Sequence, residues 1–301
     1  MLSRPEINRL LADNGLAPRR DLGQNFVADP NTVRRIARLA EVGPGDHVLE
    51  IGPGLGSLTL ALAETGAHVR AVEVDRGVVA VLRRIVESNE RIEVIEADAM
   101  HVDWAAVLKD HPRWTLVANL PYNVATPLIC DLLDAVPCIT RMLVMVQREV
   151  AERLCAAPRS PAYGAVSVKV DYWATARIAG TVPASVFVPR PNVESALADI
   201  RRRAVPATTA DRTQLFHLVR TAFGQRRKML RRSLSGIVPA EVFEAAGIDA
   251  QRRPEELGVA EWGVLVDALA AHSPDSDSPD SDSPDRDSPE PGGPVFDDGG
   301  R

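Results

Sequence analysis

The stretch His47-Val-Leu-Glu-Ile-Gly-Pro-Gly-Leu-Gly56 decides the fold of this chain of 301 residues. Its first five residues predict a buried strand, and the three glycines that follow predict a tight turn. Residues 57–64 then have apolar side chains at helical spacing. Strand, glycine-rich turn and helix together are typical of a nucleotide-binding βα unit, because glycines allow a ligand to approach the backbone closely.

Three more apolar runs, at residues 69–73, 92–96 and 114–118, extend this unit into a parallel sheet. Ligands of such open sheets bind beyond the carboxyl ends of the strands. Gly52, Glu73, Asp98 and Asn119 stand at four successive strand ends, at separations of 21, 25 and 21 residues. We therefore predict that these four residues form one site in an α/β protein.

The glycine pattern GxGxG differs from the dinucleotide pattern GxGxxG, which argues against a pyrophosphate ligand. S-adenosylmethionine contains an adenosine and a sulfonium but no phosphate, so it is the cofactor that the sequence favours. Glu73 lies at the distance expected for a carboxylate that binds ribose hydroxyls, with Asp75 as the alternative. Asp98 is placed to accept from an adenine amino group, although an Asp after a strand is also an ordinary helix cap.

The segment Asn119-Leu-Pro-Tyr122 suits the binding of an aromatic amine. The lone pair of such an amine is delocalised into its ring, which makes the nitrogen a poor nucleophile. The Asn119 side-chain oxygen and the Leu120 carbonyl could accept its two hydrogens and turn the lone pair towards a methyl donor. Tyr122 offers a flat face on which a base could stack. The alternative is a turn with a polar cap.

The net charge of −6 is unevenly distributed. Residues 273–301 contain nine acidic and two basic residues, which leaves a charge of +1 for residues 1–272. Residues 201–232 contain ten basic residues and a single acid, Asp211, and no acid from 212 to 232 is available to pair with them. We therefore predict that a basic group in this stretch binds RNA: Arg226, Arg227, Lys228, Arg231 and Arg232.

Other features bound the class of protein. Three cysteines without a CxxC pair argue against a disulfide framework and a metal site. A secretory signal and a run of 18 apolar residues are both missing from the sequence, so we expect a cytoplasmic protein without membrane contact. The Pro-, Ser- and Asp-rich segment 273–301 cannot bury a core and is predicted to be a disordered acidic tail.

The remaining pattern predicts helices at residues 5–15, 30–40 and 148–154, and a helical region from residue 211. Strands are predicted at residues 141–147, 165–173 and 194–202.

Several motifs resemble those of the KsgA-type ribosomal RNA adenine dimethyltransferases. They are Leu22-Gly-Gln-Asn-Phe26, Leu49-Glu-Ile-Gly-Pro-Gly-Leu-Gly56, Asn119-Leu-Pro-Tyr-Asn123, Met145-Val-Gln-Arg-Glu149, Tyr163-Gly164, Val182 to Val193 and Phe223-Gly-Gln-Arg-Arg-Lys228. The resemblance runs in order from about residue 20 to residue 235. It implies an N-terminal arm (1–29), a Rossmann-like class I methyltransferase domain (30–204) and a small C-terminal helical RNA-binding domain (205–272).

The resemblance also implies a reaction. S-adenosylmethionine would methylate N6 of two adjacent adenines near the 3′ end of 16S rRNA, each of them twice, during ribosome biogenesis. The partner would be small-subunit rRNA or a pre-30S particle, and we expect a monomer. Two alternatives stay open: an erythromycin-resistance-type enzyme that methylates 23S rRNA, and a ribosome-assembly factor that acts mainly by binding.

Residue by residue, the resemblance implies that the methyl donor contacts Asn25, Val27, Gly52, Glu73, Asp98 and Asn119. The family usually has Leu in place of Val27, a change that a backbone contact would survive. Phe187 would form the second wall of the target-adenine pocket, opposite Tyr122. Without the resemblance, Phe187 is a core aromatic by default.

Overall fold

A computed structural model describes residues 1–272, so the predicted acidic tail at 273–301 lies outside the described residues. Nine strands are found in this part of the chain: β1 (Phe26–Val27), β2 (His47–Ile51), β3 (His68–Glu73), β4 (Ile92–Glu96), β5 (Trp114–Asn119), β6 (Ile139–Gln147), β7 (Ala174–Val182), β8 (Phe187–Val188) and β9 (Ser195–Arg202).

Seven of these strands form one sheet in the order β4-β3-β2-β5-β6-β9-β7. The five strands from β4 to β6 are parallel. At one edge, β9 pairs antiparallel with β6, and β7 pairs antiparallel with β9. The short strands β1 and β8 pair with each other, with Phe26 opposite Val188 and Val27 opposite Phe187. This mixed, mostly parallel sheet confirms the predicted Rossmann-like α/β fold class.

Twelve α-helices in residues 1–272 surround the sheet or follow it. They are α1 (Arg4–Asp13), α2 (Pro30–Ala40), α3 (Ser57–Ala63), α4 (Arg76–Val86), α5 (Trp104–Val107), α6 (Ala125–Ala135), α7 (Arg148–Leu154), α8 (Ala165–Trp173), α9 (Arg212–Gly224), α10 (Leu230–Ser233), α11 (Ala240–Ala245) and α12 (Val259–His272). Short 3-10 helices lie at Ala184–Val186 and Pro254–Glu256. Within residues 1–272, every helix is too short or too polar to span a bilayer.

Alternate residues of the central strands pack on opposite faces of the sheet, which gives three layers. Val48 and Val117 pack with α2 and α3 on one face. Leu49 and Leu116 pack with α6 on the other. The nearly continuous apolar sequence of these strands follows from their burial on both faces.

The strand predicted at residues 165–173 was wrong, because this segment forms helix α8. The alternating Val166, Val168 and Val170 match a strand period, but tertiary packing overrides it. Val168 packs in the core of the C-terminal helices and Val170 in the core of the sheet. The strand next to this segment is β7, which the sequence pattern did not reveal.

The C-terminal helices have a core of their own, built around buried residues such as Leu215, Phe243 and Trp262. This core also takes in Tyr163 and Tyr172, from the start and end of the α8 segment. The domain division at residue 204 therefore stays a prediction, since α8 contributes to both cores.

Candidate active site

The carboxyl ends of β2, β3, β4 and β5 open onto one cavity. The cavity is lined by all six residues for which donor contacts were predicted: Asn25, Val27, Gly52, Glu73, Asp98 and Asn119. The single-site hypothesis required these side chains to face a common space rather than separate surfaces. The arrangement satisfies that requirement.

The glycine-rich turn after β2 needs backbone conformations that other residues rarely adopt. Gly52, Gly54 and Gly56 have φ angles of +70°, +57° and +86°. A Cβ on Gly54 would lie 2.8 Å from the ring of Phe26. Glycine is therefore required here by conformation and by space, and the backbone of the turn is left bare at the cavity.

Glu73 is buried at the end of β3 and its carboxylate accepts three backbone N–H groups. The donors are Gly54 (3.1 Å), Val74 (3.0 Å) and Asp75 (3.1 Å). Burial raises the pKa of Glu73, and these hydrogen bonds partly offset that effect. The same bonds fix the carboxylate beside the glycine-rich turn.

Asp75, the alternative to Glu73, has a different task. Its carboxylate caps α4 by accepting from the backbone of Gly77 (3.0 Å) and Val78 (3.3 Å). It also accepts from the side chain of Gln24 (2.9 Å). Asp75 does not line the cavity, so the geometry favours Glu73 as the ligand-binding acid.

Asp98 lies at the rim of the cavity and is largely exposed. Its carboxylate accepts from the backbone N–H of Met100 and pairs with Nδ1 of His101, both at 2.9 Å. These two interactions lower the pKa of Asp98. The helix-cap alternative was wrong, because Asp98 precedes a turn and the next helix, α5, is capped by Asp103. Asp98 is a charged group at the cavity.

Glu50 also lines the cavity, and the sequence analysis missed it. Its side chain is buried, and Oε2 has no hydrogen-bond partner within residues 1–272. Burial raises the pKa of Glu50 to about 8, with a smaller contribution from the nearby Glu73. An acid inside an otherwise apolar strand was the available signal, since such a residue is rarely buried without a function.

The side-chain amide of Asn119 is fixed in direction, because Nδ2 donates to the carbonyl of Asn25 (2.9 Å). Oδ1 receives no hydrogen bond in the described part of the chain. The N–H of Leu120 donates to the Met145 carbonyl (3.0 Å), while the Leu120 carbonyl accepts none from residues 1–272. Asn119 lines the cavity, so its Oδ1 is an acceptor available there. Leu120 is buried and is not among the lining residues, so the role of its carbonyl stays a prediction.

Tyr122 lies outside the lining of the cavity, half-buried, and its hydroxyl is 2.7 Å from Oγ of Ser195. Ser195 is fully buried at the start of β9. This hydrogen bond holds the hydroxyl end of the Tyr122 ring in place. The sequence analysis missed Ser195, because the pairing depends on the position of β9 beside β6.

Phe187 is fully buried and does not line the cavity. It pairs with Val27 across the β1–β8 ribbon and packs in the core beneath α2 and α3. The structure therefore places it as a core aromatic, and its role as a second wall for the target base stays a prediction.

The basic segment does not lie along one helix. Helix α9 ends at Gly224, a turn follows, and α10 begins at Leu230. The expectation that these cations lack internal partners was wrong for Arg226, which pairs with Glu255 at 2.5 Å and donates to the Pro161 carbonyl at 2.8 Å. The others are exposed and have no side-chain partner in the described residues: Arg227, Lys228, Arg231 and Arg232.

Residues 15–271 match the family model described as ribosomal RNA adenine dimethylase. The chain belongs to this family. The predictions of the family, the enzyme class and the cofactor are thereby confirmed: the protein is a ribosomal RNA adenine dimethylase that uses S-adenosylmethionine.

The chain is also similar to several known proteins. The chain is 47% identical over 287 residues to a "Ribosomal RNA small subunit methyltransferase A" of Bifidobacterium longum subsp. infantis, covering 89% of this chain and 94% of the relative. A dimethyladenosine transferase of Plasmodium falciparum has the same fold, with a TM-score of 0.70 at 22% identity, covering 81% and 96% of the two chains. The 23S rRNA methyltransferase ErmE has a TM-score of 0.64 at 27% identity, covering 81% and 99%.

Proposed function

We propose that this enzyme methylates N6 of two adjacent adenines near the 3′ end of small-subunit rRNA, each of them twice. The relative with "small subunit" in its name is 47% identical over 94% of its length, whereas ErmE is 27% identical. That difference favours the small-subunit substrate over 23S rRNA. We also propose that the protein acts as a cytoplasmic monomer on a pre-30S particle.

The observation that carries this proposal is the convergence of the six predicted donor contacts on one cavity. The residues present fit S-adenosylmethionine, because a bare glycine turn lies beside the buried carboxylate of Glu73 and the rim carboxylate of Asp98. A cationic ligand beside the buried, unpartnered Oε2 of Glu50 would favour the ionised form of this carboxyl, which burial otherwise disfavours. When bound, S-adenosylmethionine supplies a methyl group activated by the sulfonium.

The chain contributes orientation and electrostatics at the acceptor. Oδ1 of Asn119 and the carbonyl of Leu120 accept the two N6 hydrogens, which favours a tetrahedral nitrogen with its lone pair directed at the methyl group. After one transfer the nitrogen is cationic and releases one proton to solvent; the neutral amine then keeps one hydrogen, which either acceptor can orient again. This arrangement accounts for dimethylation without a strong base or a covalent intermediate.

The target adenine has to leave its stack, at a cost of roughly a few kcal/mol. The ring of Tyr122, fixed by Ser195, offsets this cost by stacking on the base. Phe187 is proposed as the opposite wall, which requires its ring to become accessible when RNA binds. The exposed cations Arg227, Lys228, Arg231 and Arg232 bind phosphates and position the substrate without selecting bases.

The proposal is tested by incubating small ribosomal subunits with the protein and a tritiated methyl donor, followed by mapping of the methylated adenines. Asn119→Ala should abolish transfer and leave donor affinity within about threefold of the parent, whereas Glu73→Ala should weaken donor binding at least tenfold. Asn31→Ala, an exposed change in the first turn of α2, is the control.

Full turnover by Asn119→Ala would refute the catalytic assignment, and methylation confined to 23S rRNA would refute the substrate. Assembly of small subunits in the presence of the Asn119→Ala protein, which should still bind RNA, separates catalysis from a role in assembly by binding alone.

A further inference from the structure

A second cleft lies in the segment between β7 and β9. It is separate from the cavity at the carboxyl ends of β2 to β5 that is proposed to bind the methyl donor, called the donor cavity below. Its lining is drawn from residues 183–185 and 190–194, and none of these residues lines the donor cavity. The cleft ends at Glu194, which is the neighbour of Ser195. Because the Ser195 hydroxyl is 2.7 Å from the Tyr122 hydroxyl, the cleft adjoins the ring proposed to stack on the target adenine.

The walls of this cleft are held by hydrogen bonds from distant parts of the chain. Arg4 donates to the carbonyls of Ser185 (2.6 Å) and Phe187 (3.1 Å). The N–H of Ala28 donates to the Val186 carbonyl (2.7 Å), and that of Arg148 to the Glu194 carbonyl (3.0 Å). The cleft is therefore formed in the absence of a ligand, and filling it requires little reorganisation.

The lining combines apolar surfaces with polar side chains that have no partner among residues 1–272. Pro183, Pro191 and the exposed Val193 supply the apolar part. The side chains of Arg190 and Asn192 are exposed and have no hydrogen-bond or ionic partner among the described residues.

The acid in the cleft is already paired. The Glu194 carboxylate lies 3.2 Å from the Arg148 guanidinium, which also contacts Glu152 at 2.9 Å, so the repulsion between Glu194 and an anionic ligand is partly offset. The free cation of the cleft is thus Arg190.

We propose that this cleft holds the nucleotide next to the target adenine, with Asn192 as the residue that reads its base. A carboxamide can make two hydrogen bonds to N6 and N7 of adenine, and unstacked RNA bases expose that edge. The proline rings and Val193 pack against the base, while the Arg190 guanidinium binds the adjacent phosphate. Contacts to flanking nucleotides are a general source of selectivity in enzymes that flip a base out of its stack.

This inference rests on the proposed function, since it assumes two adjacent adenines in the substrate. Each adenine is then the neighbour while the other is the target. The second adenine lies on the 3′ side of the target in one case and on the 5′ side in the other, so a cleft on one side of the target holds it for only one of the two adenines.

The test pairs a change in the protein with a change in the RNA. Small subunits are reconstituted with purine riboside, which lacks the N6 amino group, at one of the two adenine positions and, in a second preparation, at the other. The first methyl transfer to the remaining adenine is measured for the parent, Asn192→Ala, Arg190→Ala and the control Arg113→Ala. Arg113 is exposed just before β5, at the opposite end of the sheet from Asn119.

For one of the two positions, we expect purine riboside and Asn192→Ala each to lower kcat/KM about tenfold, and their combination to lower it no further. Arg190→Ala should raise KM for the subunits about tenfold with either base, and Arg113→Ala should match the parent. All variants should keep the donor affinity and the thermal unfolding midpoint of the parent.

Effects of Asn192→Ala and purine riboside that multiply at both positions would overturn the inference, as would an Asn192→Ala enzyme equal to the parent. In either case the parent still methylates the subunits and the proposed function stands. A parent enzyme that transfers nothing to unmodified subunits would overturn both.

Discussion

Replacing Ser195 by Ala isolates the hydrogen bond that holds the Tyr122 ring. The two hydroxyl oxygens are 2.7 Å apart, Ser195 is fully buried, and burial raises the pKa of Tyr122, so both groups are poorly hydrated. Among residues 1–272, Ser195 is the hydrogen-bond partner of the Tyr122 hydroxyl, and its loss leaves a buried polar group unsatisfied. The usual cost of such a loss is about 2 kcal/mol.

If the ring must keep its position to stack on the target base, this cost falls on the binding and reaction of the RNA substrate. We expect Ser195→Ala to lower kcat/KM for small subunits roughly 30-fold, because about 1.4 kcal/mol corresponds to a factor of ten. Tyr122→Phe orphans the Ser195 hydroxyl instead and should have a similar effect. Donor affinity should be unchanged in both variants.

The double variant Ser195→Ala/Tyr122→Phe is the decisive case. It removes both partners and keeps the stacking ring, and paired removal of this kind is close to neutral. We expect its kcat/KM to return to within about fivefold of the parent, whereas Ser195→Ala/Tyr122→Ala should stay inactive because the ring is gone. The assay is the initial rate of tritium transfer, with thermal unfolding as the folding control. A double variant whose loss equals the product of the two single losses would refute the reasoning.

Two further predictions concern charge. Burial raises the pKa of Glu50 from 4.5 to about 8, so between these pH values the folded protein binds a proton that the unfolded chain has released. The contribution of this proton to the free energy of unfolding is complete below pH 4.5 and is lost as the pH rises towards 8. Glu50→Gln should therefore raise the free energy of unfolding above that of the parent, by an amount that grows between pH 5 and pH 8 and reaches roughly 4 kcal/mol at pH 8. Urea titrations measure this difference, and a difference that does not change with pH would contradict the prediction. Replacement of the exposed Arg227, Lys228 and Arg231 by Glu should weaken binding to small subunits and make it less dependent on salt in filter assays. The control replaces Arg91, Lys109 and Arg113, near the amino ends of β4 and β5, by Glu and should leave binding unchanged.

The parts of the site that depend on local sequence could be predicted. A strand followed by a polar residue places that residue at a known edge of the sheet, so Glu73, Asp98 and Asn119 could be assigned to one cavity before any coordinates. Helix α2 likewise begins where Asp29-Pro30 indicates, with Asp29 accepting from Asn31 and Thr32. These features follow from periodicity and capping alone.

The parts that depend on contacts between distant segments could not be predicted. The partner of Arg226 is Glu255, and the partner of Tyr122 is Ser195, 73 residues further along the chain. Residues 165–173 show the same limit, since their alternating valines face two different cores as a helix. Sequence patterns indicate which face of a helix or strand is buried, whereas the element that packs on that face depends on the whole fold.

The same distant contacts explain why an amide stands at residue 119. Nδ2 of Asn119 donates to the carbonyl of Asn25, so the loop that lines the donor cavity also sets the direction of the acceptor oxygen. A carboxylate in this place would keep an acceptor but would face the Asn25 carbonyl without a proton to share, and the two oxygens would repel. The Asn119 side chain therefore contacts both sides of the site. Its N–H group binds the loop that lines the methyl-donor cavity, and its oxygen remains free to accept from the substrate amine. Displacement of residues 21–25 from the cavity would therefore also turn the Asn119 oxygen away from the amine.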